Sequence, residues 1–402
     1  MSNSYTLPME KIEQAWEQIW HKLTIWKHSV DIAVIQGWMG VGISTAELAG
    51  NVALNWWIGT ISATALHKTA QYRHLLIQNI KEAKKNASTP DNPRGKLSQE
   101  QIDAYLLKTQ IECIKSEVKK AKEIAQGKWA VFINIMVATT NYEEQVKAAC
   151  EAWVDGIVSW AGLPKYLPEL TKDYPDVAIV PILSNVKGVN VLLKLREKSG
   201  RLPDAIILED PSTAGWHLGA ANVEKTQNEE GKLSTAIPAV IALLKSKGIH
   251  IPVIWAWGIT NKEEMNEIIK LWASGVQVGT RFAASKESRA SQQFKDAIVN
   301  ATKEKILTYM SSAWLPARAL EESWIFERMN DVEVKVRKCI ENCLVHCWYR
   351  DGNPNLAQMC INKELVRSTT WWRWEWLMFT GSSAERIESI LTVKEIMEMF
   401  SK

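Results

Sequence analysis

The stretch "IPVIWAWGIT", Ile251 to Thr260, has the form of a strand buried on both faces that runs into a loop. An uninterrupted apolar run ends at Trp255-Ala256-Trp257-Gly258, where a strand-to-helix turn is expected. Seven more runs of the same kind occur along the chain: "AVIQG" (33–37), "IGTISA" (58–63), "VFINIMV" (131–137), "GIVSW" (156–160), "AIVPILS" (178–184), "AIILE" (205–209) and "GVQVGTRF" (275–282). Amphipathic segments such as "NYEEQVKAACEA", "KGVNVLLKLREK" and "NKEEMNEIIKL" separate them. Eight strand-helix repeats within about 300 residues predict a (β/α)8 TIM barrel of the α/β class, with a doubly wound open sheet as the weaker alternative.

Two segments break the repeat. Residues 66 to 126 are polar and helix-rich, and read as a helical insertion after the second strand. Beyond about residue 302 the repeat stops, so the division expected is a barrel over 1–302 and a helical C-terminal extension over 303–402. The extension holds Cys339, Cys343, Cys347 and Cys360 and the hexapeptide "WWRWEW" (371–376).

At 402 residues and 46% hydrophobic content the chain can bury a substantial core. A net charge of +3, from 48 basic and 45 acidic residues mixed along its length, gives no basic field for nucleic acid or an anionic membrane. No segment has the roughly 18 uninterrupted apolar residues of a membrane span, and the N-terminus lacks the pattern of a signal peptide. A cytoplasmic protein with six reduced cysteines is expected.

In such barrels the site lies at the C-terminal ends of the strands, and phosphate is held after strands seven and eight. Backbone N–H groups reach a phosphate only where side chains leave room, which singles out Gly258, Gly279 and Thr280. The sixth strand delivers Glu209, then the small-residue loop "STAGWHLGA" with His217. A histidine at that rim, with an unperturbed pKa near 6.5, can serve as a general base. His21, His28, His67, His74, His250 and His346 lack such an address and are read as structural. On a helix, Cys339 and Cys347 would be about 12 Å apart along the axis, so the three evenly spaced cysteines could not all ligate one ion unless the helix breaks. A bent segment with Cys360 could then complete a metal site, but a reduced, partly buried thiol cluster is the favoured reading. No metal is expected.

The segments "VIQGWMGVGIST", "NIMVATT", "VDGIVSWAGLP", "AGWHLG", "WASGVQVGTRF" and "FTGSSAERI" resemble, in order, the nitronate monooxygenase (2-nitropropane dioxygenase) family over roughly residues 23 to 397. The resemblance implies an FMN-dependent TIM barrel that oxidises a nitronate or nitroalkane to a carbonyl compound and nitrite with oxygen. It implies FMN contacts from Gly37, Trp38, Met39, Asn134, Glu209, Gly215, Ala256, Trp257, Gly258, Gln277, Gly279 and Thr280, with His217 as the catalytic residue. Ser184 stands where some relatives place a lysine near the flavin. An FMN-dependent enoyl-acyl-carrier-protein reductase using a nicotinamide donor shares a similar barrel and is the closest rival, and a catalytically dead barrel is the other. The oligomeric state, a homo-oligomer included, stays open.

Tryptophan is the anomaly, with 20 residues, as many as glycine. Where the family reads Gly-Gly-Met-Gly this chain has Gly37-Trp38-Met39-Gly40, and where it reads Ala-Gly-Gly-His the chain has Ala214-Gly215-Trp216-His217. Trp56, Trp57, Trp153, Trp160, Trp255, Trp257, Trp272 and Trp314 likewise stand where a small residue is expected. Overpacking costs about 1–3 kcal/mol per insertion, and about ten insertions would exceed the roughly 5–15 kcal/mol that holds a domain together. Some bacteria read UGA as glycine. Translating their genes with a table that reads UGA as tryptophan would produce this pattern.

Overall fold

The computed structural model describes residues 23–215, 220, 222–227, 232–311, 315–323, 339, 341–351, 360–367, 369 and 377–401. Two short strands come first, β1 (Leu23–Ile25) and β2 (His28–Val30), joined as a hairpin by Trp26 and Lys27. Leu23, Ile25 and Val30 are buried, and Leu23 packs beside Gly275 at the N-terminal end of the last barrel strand.

All eight apolar runs form strands. They are β3 (Val34–Gln36), β4 (Gly59–Ser62), β5 (Val131–Met136), β6 (Gly156–Trp160), β7 (Ala178–Leu183), β8 (Ile206–Glu209), β9 (Val253–Ala256) and β10 (Gly275–Val278). The eight pair in parallel in the order β3-β10-β9-β8-β7-β6-β5-β4. A parallel bridge between Ile35 and Ile58, with the Gln36 N–H donating to the Ile58 carbonyl at 3.0 Å, joins the two ends. Seven of the strands are buried along their whole length, and only Leu183 at the end of β7 is partly open, which is why the runs read as continuous rather than alternating. The architecture is the expected α/β barrel.

Between β4 and β5 run helices Arg73–Ala87 and Gln99–Ala125, the second opened by a capping box in which Ser98 and Gln101 satisfy each other's backbone N–H groups. Glu117 of that helix is buried and accepts hydrogen bonds from the Ala46 N–H, the Gln71 amide and the Tyr72 hydroxyl, which ties the excursion to the barrel wall.

Past residue 302 the chain is not simply helical. Strands β11 (Ile306–Met310) and β12 (Pro316–Leu320) form an antiparallel pair. The Leu320 N–H donates to the Met378 carbonyl at 3.0 Å, and Ala319 bridges Phe379. The pair was hidden because its strands are short and the residues that extend it, Met378 and Phe379, lie far along the chain. The cysteine stretch is not a helix either: Leu344 bridges Thr139, and the Thr140 N–H donates to the Cys343 carbonyl at 3.3 Å. The last helix, Val393–Ser401, buries Val393, Ile396, Met397 and Phe400, the one-sided spacing of a helix laid on a core.

The backbone separates the tryptophans. Nine non-glycine residues among those described have φ in the left-handed region, and four are tryptophan: Trp26 (54°), Trp56 (75°), Trp153 (60°) and Trp272 (74°). In helix Ala46–Leu54 the closing hydrogen bonds run from Trp56 N–H to the Ala53 carbonyl and from Trp57 N–H to the Val52 carbonyl. Helix Tyr142–Glu151 closes in the same way, from Trp153 to Cys150 and from Val154 to Ala149. Helix Leu233–Ser246 also has this pattern, from Gly248 to Lys245 and from Ile249 to Leu244, but with a glycine at φ 66°. This is the Schellman closure, which favours glycine. An L-residue there costs roughly 1–2 kcal/mol. Trp57 and Trp255 differ. Both are fully buried with ordinary backbone angles, and Trp57 packs edge-on against Phe282 and Phe400 at 6.1 and 5.6 Å.

Candidate active site

The C-terminal ends of β3, β8, β9 and β10 converge with the loops that follow them on a cavity bounded by Trp38, Glu209, Gly215, Trp257, Gly279 and Thr280. Register explains the convergence: Ala256 of β9 lies opposite both Glu209 of β8 and Gln277 of β10, so neighbouring strands end at one level.

Strand β3 contributes a turn built on Gln36. Its side-chain amide donates to Ser44 Oγ at 3.0 Å and to the Thr60 carbonyl at 3.1 Å, while its carbonyl accepts the Thr60 N–H at 2.8 Å. Ser44 Oγ in turn accepts the Met39 N–H at 2.8 Å. These bonds fold Gly37-Trp38-Met39 over the barrel mouth. At the opposite wall, Gly258 has φ 85° and Thr213 beside it, and its carbonyl accepts from Arg386 at 2.6 Å.

Two expected ligands are deep in the barrel. Gln277 is fully buried, and among the described residues neither atom of its amide has a hydrogen-bond partner. Asn134 of β5 donates to the Val158 carbonyl at 3.1 Å, but its own carbonyl oxygen has none. Buried polar atoms without partners are rare and mark a place where a polar ligand or water is needed.

Glu209 is almost fully buried. Burial pushes its carboxyl up to about 8; the hydrogen bond from Trp257 Nε1, at 2.7 Å, pulls the other way, and Asp210 adds a smaller upward push. It is therefore a neutral acid at pH 7. Asp210 is held by the N–H and hydroxyl of Ser212, at 2.8 and 2.7 Å.

His217 and Trp216 lie outside the described residues, as do Trp314 and the "WWRWEW" segment. The residues that lead into the histidine loop are firmly anchored. Arg318 donates through its backbone N–H to the Gly215 carbonyl at 2.7 Å, and through its guanidinium to the carbonyls of Ser212, at 3.0 Å, and Ala214. Burial lowers the Arg318 guanidinium to about 10.

Sequence reasoning missed the contribution of the chain's end. Thr380, Gly381 and Ser383 line the same cavity, the Gly381 N–H donates to Thr280 Oγ1 at 3.0 Å, and the Ser382 N–H donates to the Thr213 carbonyl at 3.0 Å. The signal available was "FTGSSAERI", a glycine-serine turn with no role of its own.

The remaining residues named above have the following environments. His67 is buried, and burial lowers it to about 3, so it stays neutral. All six cysteines are free, with burial pushing Cys113 and Cys150 up to about 12 and Cys343 up to about 11. No three His, Cys, Asp or Glu side chains among the described residues gather as metal ligands, and no described helix is long and apolar enough to cross a membrane.

The sequence profile of the nitronate monooxygenase family matches residues 22–402. The chain belongs to this family. A probable nitronate monooxygenase of Staphylococcus aureus strain JH9 is 25% identical over 352 residues, covering 82% of this chain and 90% of that protein. Another, from strain Newman, is 30% identical over 203 residues, covering 44% of this chain, and the match spans 54%, about half, of that protein's length. Among solved structures, a nitroalkane oxidase from Streptomyces ansochromogenes superposes with a TM-score of 0.62 at 13% identity, covering 92% of this chain and 95% of that one. FabK from Thermotoga maritima superposes at 0.60 and 20% identity, covering 92% and 91%.

The backbone of the site fits a flavin, and one side chain does not. A Cβ added at Gly37 would lie 2.5 Å from Cζ3 of Trp257, and one at Gly279 would lie 3.0 Å from the same atom. The indole packs edge-on against Trp38 at 5.0 Å and donates to Glu209. A flat, nitrogen-bearing ring thus already fills the slot bounded by Gly37, Trp38, Glu209 and Gly279, four of the expected flavin contacts. Indole and isoalloxazine exclude each other there.

Proposed function

We propose that the protein is an FMN-dependent nitronate monooxygenase that converts nitronates or nitroalkanes into a carbonyl compound and nitrite with oxygen as acceptor. The reading rests above all on the convergence of Met39, Glu209, Gly258, Gly279 and Thr280 on one cavity at the C-terminal ends of the strands. The flavin, when bound, supplies the redox chemistry. The chain supplies position. Backbone N–H groups around Gly258, Gly279 and Thr280 suit a phosphate, and the unpartnered amide of Gln277 and carbonyl of Asn134 suit a polar heterocycle in the barrel mouth. Burial favours the protonated form of Glu209, which can donate a hydrogen bond to a ring acceptor. Gly215, Ala256, Trp38, Met39 and Trp257 complete the contact set as positions, the last subject to the obstruction described above.

His217 follows the anchored Ser212–Gly215 segment and takes the α-proton of a neutral nitroalkane or orients a nitronate already formed. Free cysteines suit a cytoplasmic protein. The test is His217→Ala introduced into protein that carries FMN: turnover of a neutral nitroalkane should fall by about 10² to 10⁴, with a smaller loss on the preformed nitronate, whose proton has already left. Equal losses on both substrates would make His217 a binding residue, and no loss would remove it from the reaction. Anaerobic mixing with propyl nitronate or with NADH, observing which one bleaches the flavin, separates this activity from enoyl reduction.

A further inference from the structure

We infer that positions 26, 38, 56, 153, 257 and 272 carry glycine in the protein the source cell makes, and that the tryptophan-bearing chain is a self-plugged form whose Trp257 indole occupies the seat of the flavin ring. Two independent observations lead here. The first concerns backbone alone. Trp26 sits in a two-residue hairpin loop with φ 54°, a position that favours glycine because such loops need left-handed residues. Trp56, Trp153 and Trp272 each follow the last residues of a helix with φ of 60–75°. The closing bonds at Trp56 and Trp153 repeat those at Gly248, and Trp272 makes the first of them, to the Ile269 carbonyl at 2.8 Å. Tryptophan makes up 20 of 402 residues of the sequence but, among the described residues, four of the nine non-glycine positions with left-handed φ, and its bulk gives no reason for that preference. The side chains gain little in return: Trp153 is 75% exposed, Trp56 56% and Trp26 49%.

The second observation concerns space. Trp257 lies so close to Gly37 that no methyl group could stand there in place, a Cβ falling 2.5 Å from the indole, and a Cβ at Gly279 would be tight against the same ring at 3.0 Å. Those glycines leave a flat slot, and the one thing in it is an indole. Removing the side chains at 38 and 257 would empty the slot, and because neither position has a left-handed φ the change there acts on space and not on backbone strain. This half of the inference rests on the flavin reading; the half drawn from φ does not. A codon read as glycine in the cell and as tryptophan in the translation accounts for both halves at once.

The experiment has two arms. Peptide mass spectrometry of the protein isolated from the cells that make it should show residues lighter by an indole-methylene group at all six positions. Tryptophan at 56, 153 and 272 in those peptides overturns the inference. In the second arm, full-length chain as written and full-length chain with Trp26→Gly, Trp38→Gly, Trp56→Gly, Trp153→Gly, Trp257→Gly and Trp272→Gly are titrated with FMN, following quenching of flavin fluorescence. The glycine-bearing chain should bind at least 100-fold more tightly. A third chain, with only Trp38→Gly and Trp257→Gly, guards against a folding effect and should recover most of that gain. Glycine in the native peptides together with no FMN uptake by any chain would keep the substitution and reject the flavin seat. Equal uptake by the chain as written would reject the plug.

Discussion

The tryptophans at the helix ends and those at the barrel mouth burden the molecule in different ways. Trp56 and Trp153 are exposed and Trp272 is half-buried beneath Lys245, so all three are tolerated for space, but they hold the backbone where an L-residue is strained. Trp38 and Trp257 have relaxed backbones and good packing, but they take up the room in which the chemistry should happen. A helix end constrains φ and leaves the side chain free. A cofactor cleft constrains volume and is indifferent to φ. The same exchange of glycine for tryptophan therefore acts on folding in one region and on ligand binding in the other.

The comparison would break if restoring glycine at 26, 56, 153 and 272 together left stability unchanged. We expect a gain of about 3 to 4 kcal/mol, since relief of the left-handed strain is roughly 1–2 kcal/mol per site, the glycine's extra unfolded-state entropy returns part of it, and distant sites add. Urea denaturation of the full chain measures it. Flavin affinity should hardly move in that variant.

A sharper test concerns Glu209 and the indole above it. Below about pH 4.5 its carboxyl is neutral in both folded and unfolded chains; from there to about 8 the unfolded chain has released a proton that the folded chain keeps. Stability therefore falls as pH rises through that window. Glu209→Gln should remove a slope of up to about 1.4 kcal/mol per pH unit. The mutation is a mouth effect only, so denaturation midpoints measured from pH 5 to 8 should show a flatter curve in Glu209→Gln and an unaltered one in Trp153→Gly.

The smallest effect separates backbone from side chain at one position. Trp153→Gly should stabilise by about 1 kcal/mol, whereas Trp153→Ala should not, because alanine keeps the Cβ that makes left-handed φ costly. Equal gains from both would mean that the exposed indole, not the backbone, was the burden.

The barrel was legible because each strand is buried on both faces, so hydrophobicity alone marked all eight runs from 33–37 to 275–282. Hairpin β1–β2 and the pair β11–β12 were not, being short and partly alternating, with their register set by contacts a linear reading lacks. At the site, Gly258, Gly279, Thr280 and Glu209 announced themselves by their place at strand ends. Thr380, Gly381 and Ser383 did not, because only the fold brings them to Thr280 and Thr213. The strained tryptophans were suspected from composition, but Trp26 was not among them. Its two-residue turn shows only once Ile25 is paired with His28.

The hydrogen bonds from Arg318 and Ser382 to the Ser212–Gly215 segment also order events during synthesis. A ribosome that has just passed residue 217 has made the Ser212–Gly215 segment and His217 but neither Arg318 nor Ser382, which pin that segment. Residue 380 follows residue 215 by a stretch that takes on the order of ten to thirty seconds to translate at about 5–20 residues per second. Until then one wall of the cavity is missing. A nascent barrel can therefore close its sheet long before it can hold a ligand, and the last-made residues decide when the site is finished.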